Sequence, residues 1–463
     1  MRKVLHILIV IIPLFCNAQK QGNIWYFGEG AGLDFNSGTP STITGGQTAT
    51  DIGIANQEGC AAISDSSGTL LFYTDGQKIW NKNQQTMSNG DSLMGNKSST
   101  QSAFILPLPQ NNHLYYVFTT DAFTNNFQNG LRYSIVDMCL NNKIGGVVSS
   151  SKNLLLLNTA SEKLTATKHA NGVDYWIVTA LNNTNNYYAY LLTQNGIIDN
   201  VVSSVGAVCG GANAYGQMKI SPDGSKMTIA DGQATNKAIL FNFNNSTGVV
   251  SNPTVLATSS TIYGVAFSAD NSKLYISEFL NVNQINQFDL SNGNNKTVIS
   301  LPNNSSPKGM QLATNGKIYV ARQDSPDYLG IINNPNTAGT SANYVHNGIY
   351  LNGKTSDYGL PNFVDSYSYP NTIVGCETGI NEFANKNLSM KIYPNPAQQS
   401  FTVELPPQQN FNLIVYDVTG RKVYQKTNAI GNVKVDCSDF NAGVYFIKAI
   451  NERTVLTDKL IKQ

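Results

Sequence analysis

The chain has 463 residues, with 30 basic and 29 acidic side chains and only 13% charged residues in all. That balance excludes a nucleic-acid partner, whose phosphates require a basic footprint. Asn, Ser, Thr and Gly are abundant and keep such a chain soluble, a composition common in β-rich extracellular proteins.

The N-terminus reads as an export signal. Arg2 and Lys3 precede an apolar run from Leu5 to Phe15, and Cys16 and Ala18 are the small residues of a cleavage site before Gln19. The run is shorter than the ~20 apolar residues needed to span a bilayer, and Phe15 before Cys16 argues against lipidation. Residues 1–18 are therefore expected to be removed, and no later segment reads as transmembrane. Removal takes away two basic residues and no acid, shifting the balance to 28 basic against 29 acidic. Cys60, Cys139, Cys209, Cys376 and Cys437 remain. None has CxxC spacing, which disfavours a zinc site, and their pairing cannot be read from sequence.

From residue 19 to 370 one pattern recurs: an apolar strand, a tight Gly or Asn turn, a second strand rich in Leu, Tyr, Ile and Val, a polar loop and a third strand. The turns fall near Gly68, Asn112, Gly172, Gly224, Asn271 and Gly316, roughly 45–60 residues apart. A period of that length with about four strands predicts β-propeller blades, which bury their faces by stacking radially. Gly359 to Tyr367 aligns with the first strand of the repeat, and Asn23 to Gly38 with the second and third. The expectation is an all-β, seven-bladed propeller with a composite closing blade, whose inner strand comes from one chain end and outer strands from the other. The body resembles secreted WD/YVTN-like propellers of Bacteroidetes with no assigned function.

Residues 371–387 lose the repeat and read as a linker. Residues 388–463 alternate as short strands and predict a small β-sandwich. Here Lys391–Leu405 (KIYPNPAQQSFTVEL), Tyr416–Val423 (YDVTGRKV) and Asn441–Ala449 (NAGVYFIKA) occur in order. They resemble the type A C-terminal sorting domain of the type IX (Por) secretion system of Bacteroidetes. The resemblance implies an Ig-like sandwich, the type IX machinery as a partner, cleavage near the linker, and a secreted or cell-surface location.

No GxSxG, HExxH or phosphate-binding glycine loop is present. His113, His169 and His346 lie in different repeats and at different repeat positions, as structural or solvent-exposed histidines do. Aligning the repeats exposes a positional pattern. First strands begin at Glu58, Tyr215, Tyr263, Lys308 and Tyr358, each followed by Gly. Second strands end at Asp75, Asp121, Asp231 and Glu278. Antiparallel order puts both sets on one face, the first nearer the axis. Aromatic rings with carboxylates at a channel mouth suit a glycan, a peptide or a protein partner; carboxylate oxygens could also hold a divalent cation such as calcium, but no cofactor is expected. The bland alternative is that these acids cap strand ends and the tyrosines pack between blades. Three functions stay open: a binding module, a hydrolase or lyase on extracellular polysaccharide or peptide, and a structural adhesin. No catalytic residue and no metal ligand stands out, and an enzyme is the less favoured reading.

Overall fold

A computed structural model describes residues 19–48, 58–211, 214–231, 237–258, 261–280, 282–370, 376, 390–406, 410–418, 421–451 and 455–463. The expected signal segment and most of the expected linker lie outside these residues. The chain falls into two compact units, Met1–Cys376 and Glu377–Gln463. Cys376, where the first unit ends, forms a disulfide with Cys139.

The N-terminal unit is a β-propeller. Among the described residues it contains seven antiparallel sheets that follow one another along the chain. The first comprises Ile24–Phe27, Ala31–Asp34 and Ser41–Ile43. The second comprises Ala61–Ser64, Leu70–Thr74 and Ile79–Asn81, and the third is built around Ala103–Pro107, Leu114–Thr120 and Leu131–Asp137. Four four-stranded sheets follow, opening with Ala160–Lys168, Met218–Ile220, Ile262–Phe267 and Pro307–Leu312. In the sixth sheet Ile262–Phe267 and Lys273–Glu278 are wholly buried, whereas Asn295–Ser300 is almost entirely exposed. This gradient is what radial stacking produces: inner strands touch both neighbours, and outer strands face water. The inner hairpins turn at Gly224, Asn271 and Gly316, with φ of +72°, +63° and +76°, as the alternating pattern with Gly or Asn at these sites requires.

The starts of the inner strands join sheet to sheet around a ring. Gly59 N–H donates to Ser99 O at 2.9 Å, Gln217 N–H to Tyr263 O at 2.8 Å, and Gly309 N–H to Tyr358 O at 2.9 Å. The ring closes where Asn362 N–H donates to Cys60 O at 2.9 Å. The composite closure appears in contacts rather than in a ladder. Trp25 packs on Phe363, ring centroids 5.8 Å apart, and Gln21 Nε2 donates to Pro370 O at 2.8 Å. Residues 359–367, expected as a strand, carry only an isolated bridge between Pro361 and Cys60. Pro361 has no N–H to give a ladder.

The centre of the ring is not an open channel. Gln101 Oε1 accepts from Met218 N–H at 2.8 Å, and its amide nitrogen donates to Met218 O at 3.0 Å and Asn362 Oδ1 at 3.3 Å. Gln217 Oε1 accepts from Val265 N–H at 3.1 Å and Met310 N–H at 2.9 Å. Buried amides thus replace water along the axis and satisfy strand groups that would otherwise lack partners.

The C-terminal unit is a two-sheet β-sandwich. One sheet contains Lys391–Tyr393, Ser400–Glu404 and Asn432–Asp436; the other contains Lys422–Ala429, Phe411–Asp417, Gly443–Ile450 and Val455–Lys462. Strict alternation buries Phe401 and Val403 from one strand and Val433 and Val435 from its partner.

Candidate functional site

Where the inner strands begin, the ring leaves a cavity of about 210 Å³. Glu58, Tyr215, Tyr263, Lys308 and Tyr358 all line it, together with Glu162, Phe123 and Phe279. Glu58, Glu162, Tyr215, Tyr263, Lys308 and Tyr358 converge because each stands at the same repeat position, next to a residue whose backbone meets its neighbour. A Cβ at Gly359 would lie 1.5 Å from Glu58 O, and one at Gly264 2.1 Å from Lys308 O. Glycine at these positions lets the strands approach and turns the preceding side chains toward the axis.

The polar wall is formed by two buried glutamates. Glu162 Oε1 accepts from Phe123 N–H at 2.9 Å; Glu162 Oε2 accepts from Thr100 N–H at 2.9 Å and the Thr100 hydroxyl at 2.8 Å. Thr100 Oγ1 also lies 3.3 Å from Glu58 Oε2 and accepts from Gly216 N–H at 3.1 Å. Tyr263 donates its hydroxyl to Glu58. Burial, and then the charge of Glu162, pushes the Glu58 carboxyl well above the usual range. Burial also raises Glu162, against its backbone donors at Phe123 and Thr100. One pattern satisfies the threonine: its hydroxyl donates to Glu162 and accepts from the Glu58 carboxyl, whose protonated form burial favours.

The opposite wall is aromatic and carries one amine. Lys308 Nζ stands 3.1 Å from the Phe279 ring centroid and 4.3 Å from that of Tyr358. Burial lowers its pKa to about 7, against the pull of Glu58. Tyr263 meets Tyr358 edge-on with centroids 5.8 Å apart, and Phe123 meets Tyr215 at 6.0 Å. Such a wall offers both ring faces and hydrogen-bonding tips.

The four outer acids do not reach this cavity, contrary to the expectation that they are displayed on the face. Asp75 is buried and accepts from Gln77 and Lys78 N–H, both at 2.9 Å. Asp121 is buried and holds Ala122 and Asn129 N–H at 2.9 and 2.8 Å. Glu278 is buried and accepts from Gln284 Nε2 at 3.0 Å and from Asn286 Nδ2. Asp231 is buried near Lys163, whose pKa it supports. Local backbone and amide groups occupy Asp75, Asp121 and Glu278, as acids at strand ends and turns commonly do.

Glu162 was not among the expected residues. Its repeat position is the same, but Lys163 follows where the other starts have glycine, so the marker is missing. The Lys163 amine fills that space and donates to Tyr215 O, Gly216 O and Ala230 O at 2.8, 3.1 and 2.7 Å. The histidines lie elsewhere. His113 Nδ1 meets Asp137 at 2.9 Å, beside Cys139. The sulfur of Cys139 is committed to Cys376, so that trio cannot close around a metal.

No curated protein matches the chain. Among solved structures it is similar to a functionally unknown protein from Desulfotomaculum acetoxidans, at 14% identity over 79% of this chain and 95% of that one, with a TM-score of 0.39. It is similar to the periplasmic gluconolactonase of Pseudomonas aeruginosa, at 10% identity over 78% and 94%, TM-score 0.36. It is also similar to the Pan2 WD40 domain of Neurospora crassa, at 12% identity over 67% and 88%, TM-score 0.35. No helix among the described residues is long and apolar enough to cross a membrane. Residues 391–463 match the secretion system C-terminal sorting domain, which marks the chain for export by the type IX system to the cell surface or the medium.

Proposed function

We propose that the propeller is an exported binding module that takes a single sugar unit of a glycan into the cavity at the start of its inner strands. The observation that carries this reading is the cavity itself. It has the size of a small polar ligand, ring faces from Phe123, Tyr215 and Tyr358 on its walls, and two glutamates and an amine among its polar groups. Sugars present apolar ring faces edged by hydroxyls, and such mixed walls match them. Glycan-array screening of the purified chain tests it. Tyr215 and Tyr358 are only half-buried, so Tyr215→Ala and Tyr358→Ala remove wall area with little cost to folding. Each should weaken binding at least tenfold; an unchanged array profile from both folded variants rules the site out.

A second reading rests on the meeting of Glu58 and Glu162 at one threonine hydroxyl. A protonated carboxyl beside a second carboxyl is the equipment of general acid–base hydrolysis. In that case Glu58→Gln retains glycan binding and abolishes turnover of a bound oligosaccharide.

A further inference from the structure

The Lys308 amine is the unusual group in this cavity. Its residue is 1% exposed. Its only described contacts are the faces of Phe279 and Tyr358. An ammonium carries three N–H donors, and among the described residues no protein acceptor takes a hydrogen bond from this one, so its donors are left for what enters the cavity. Among the described residues no ion pair joins the amine to either glutamate: Glu162 accepts from Phe123 and Thr100, and Glu58 Oε2 meets Tyr263 and Thr100. Lys308 is one of the residues that line the cavity.

We propose that Lys308 receives an anionic substituent of the bound sugar, a uronate carboxylate or an ester sulfate, so that the ligand is an acidic glycan. The proposal rests on the sugar-binding reading and adds the charge of the ligand. An incoming anion supplies the missing acceptors and turns a poorly solvated cation into an ion pair. The rings that flank the amine hold it at one place, so the charge is presented at a fixed point of the wall. The carboxyl of Glu58 does not repel the anion while it keeps its proton, and the charge of Glu162 is shielded by three donors.

The charged groups facing Lys308 fix the direction of the pH response. Rising pH discharges the amine, whose pKa burial lowers to about 7; Glu162 is held by three donors, and burial raises the hydroxyls of Tyr215, Tyr263 and Tyr358. Loss of the ammonium charge weakens anion binding. Binding should therefore be tighter at pH 6 than at pH 8.

Calorimetry with galactose, galacturonate and galactose 6-sulfate on the full chain, on Lys308→Gln and on Lys308→Met tests it. At pH 6 galacturonate or galactose 6-sulfate should bind at least tenfold tighter than galactose, and which of the two does so identifies the anion. The preference should shrink at pH 8 and vanish in both variants. Equal affinity for all three sugars, unchanged by either variant, overturns the acidic-ligand proposal and leaves sugar binding intact. Failure of all three sugars to bind a folded chain overturns both.

Discussion

Tyr263 donates its phenolic hydrogen bond to Glu58, a residue 205 positions earlier in the chain. The bond links the start of the sixth sheet to the loop that enters the second. It lies at the polar wall of the cavity and holds in place a carboxyl that burial has made a weak acid. The link makes the site and the ring interdependent, and its consequences are measurable.

The first concerns pH and stability. Glu58 has a folded-state pKa above its unfolded value near 4.3, so between those two values the folded state binds more protons. Stability contributed through Glu58 is then full below the unfolded pKa and is lost as pH rises through the window. Glu58→Gln removes that slope. Urea midpoints measured from pH 4 to 8 should show the wild type losing stability relative to the variant as pH rises. Parallel curves would mean that Glu58 is not held protonated by the fold.

Lys163 gives a second test, because it does the opposite job with a similar residue. Its amine is buried and ends on three backbone carbonyls at the start of the fifth sheet. Lys163→Met removes three charge-assisted bonds and strands those oxygens. The expected loss is about 3 kcal/mol, read as a lowered denaturation midpoint. A change under about 0.5 kcal/mol would show that the carbonyls find other partners.

These two residues also show what a single sequence reveals. The ring, its turns and the inward positions were legible because glycine recurs beside them: Glu58, Tyr215, Tyr263, Lys308 and Tyr358 each precede one. Glu162 escaped because Lys163 takes the glycine's place, and a substituted marker breaks the alignment although the geometry persists. Asp75, Asp121, Asp231 and Glu278 align as regularly but are buried and do not line the cavity. Strand-end position predicts the face of the ring, but not whether a short acid folds back on nearby N–H groups. The closing strand failed at Pro361, whose missing N–H was visible in the sequence and argued against a ladder. The pairing of Cys139 with Cys376 spans 237 residues, and no local pattern records it.

That disulfide makes the third prediction. Peptide mapping without reduction should recover Cys139 joined to Cys376. Cys60, Cys209 and Cys437 are buried thiols and should resist alkylation until the chain unfolds. Cys139→Ser should lower stability by about 2–4 kcal/mol, since the bond closes a long loop in the unfolded chain. Rapid alkylation of the native protein at Cys60 would contradict its burial against the closing segment.

The last prediction concerns where the propeller ends. Asn362 pairs with Cys60, Gln21 holds Pro370, and Tyr369 N–H donates to Gln19 at 2.5 Å. Residues 359–370 therefore join the two ends of the ring, and removing them exposes Trp25 and the unpaired start of the second sheet. With Cys139→Ser in place to avoid a lone thiol, a chain ending at Pro370 should express as a soluble monomer with a cooperative unfolding transition. A chain ending at Tyr358 should aggregate or unfold without a sharp transition. The single change Gly359→Ala should behave like the shorter chain, because its Cβ meets Glu58 O at 1.5 Å, far inside contact distance. If the chain ending at Tyr358 unfolds as cooperatively as the one ending at Pro370, the segment decorates the ring without closing it, and the ends of the chain are held by the first and seventh sheets alone.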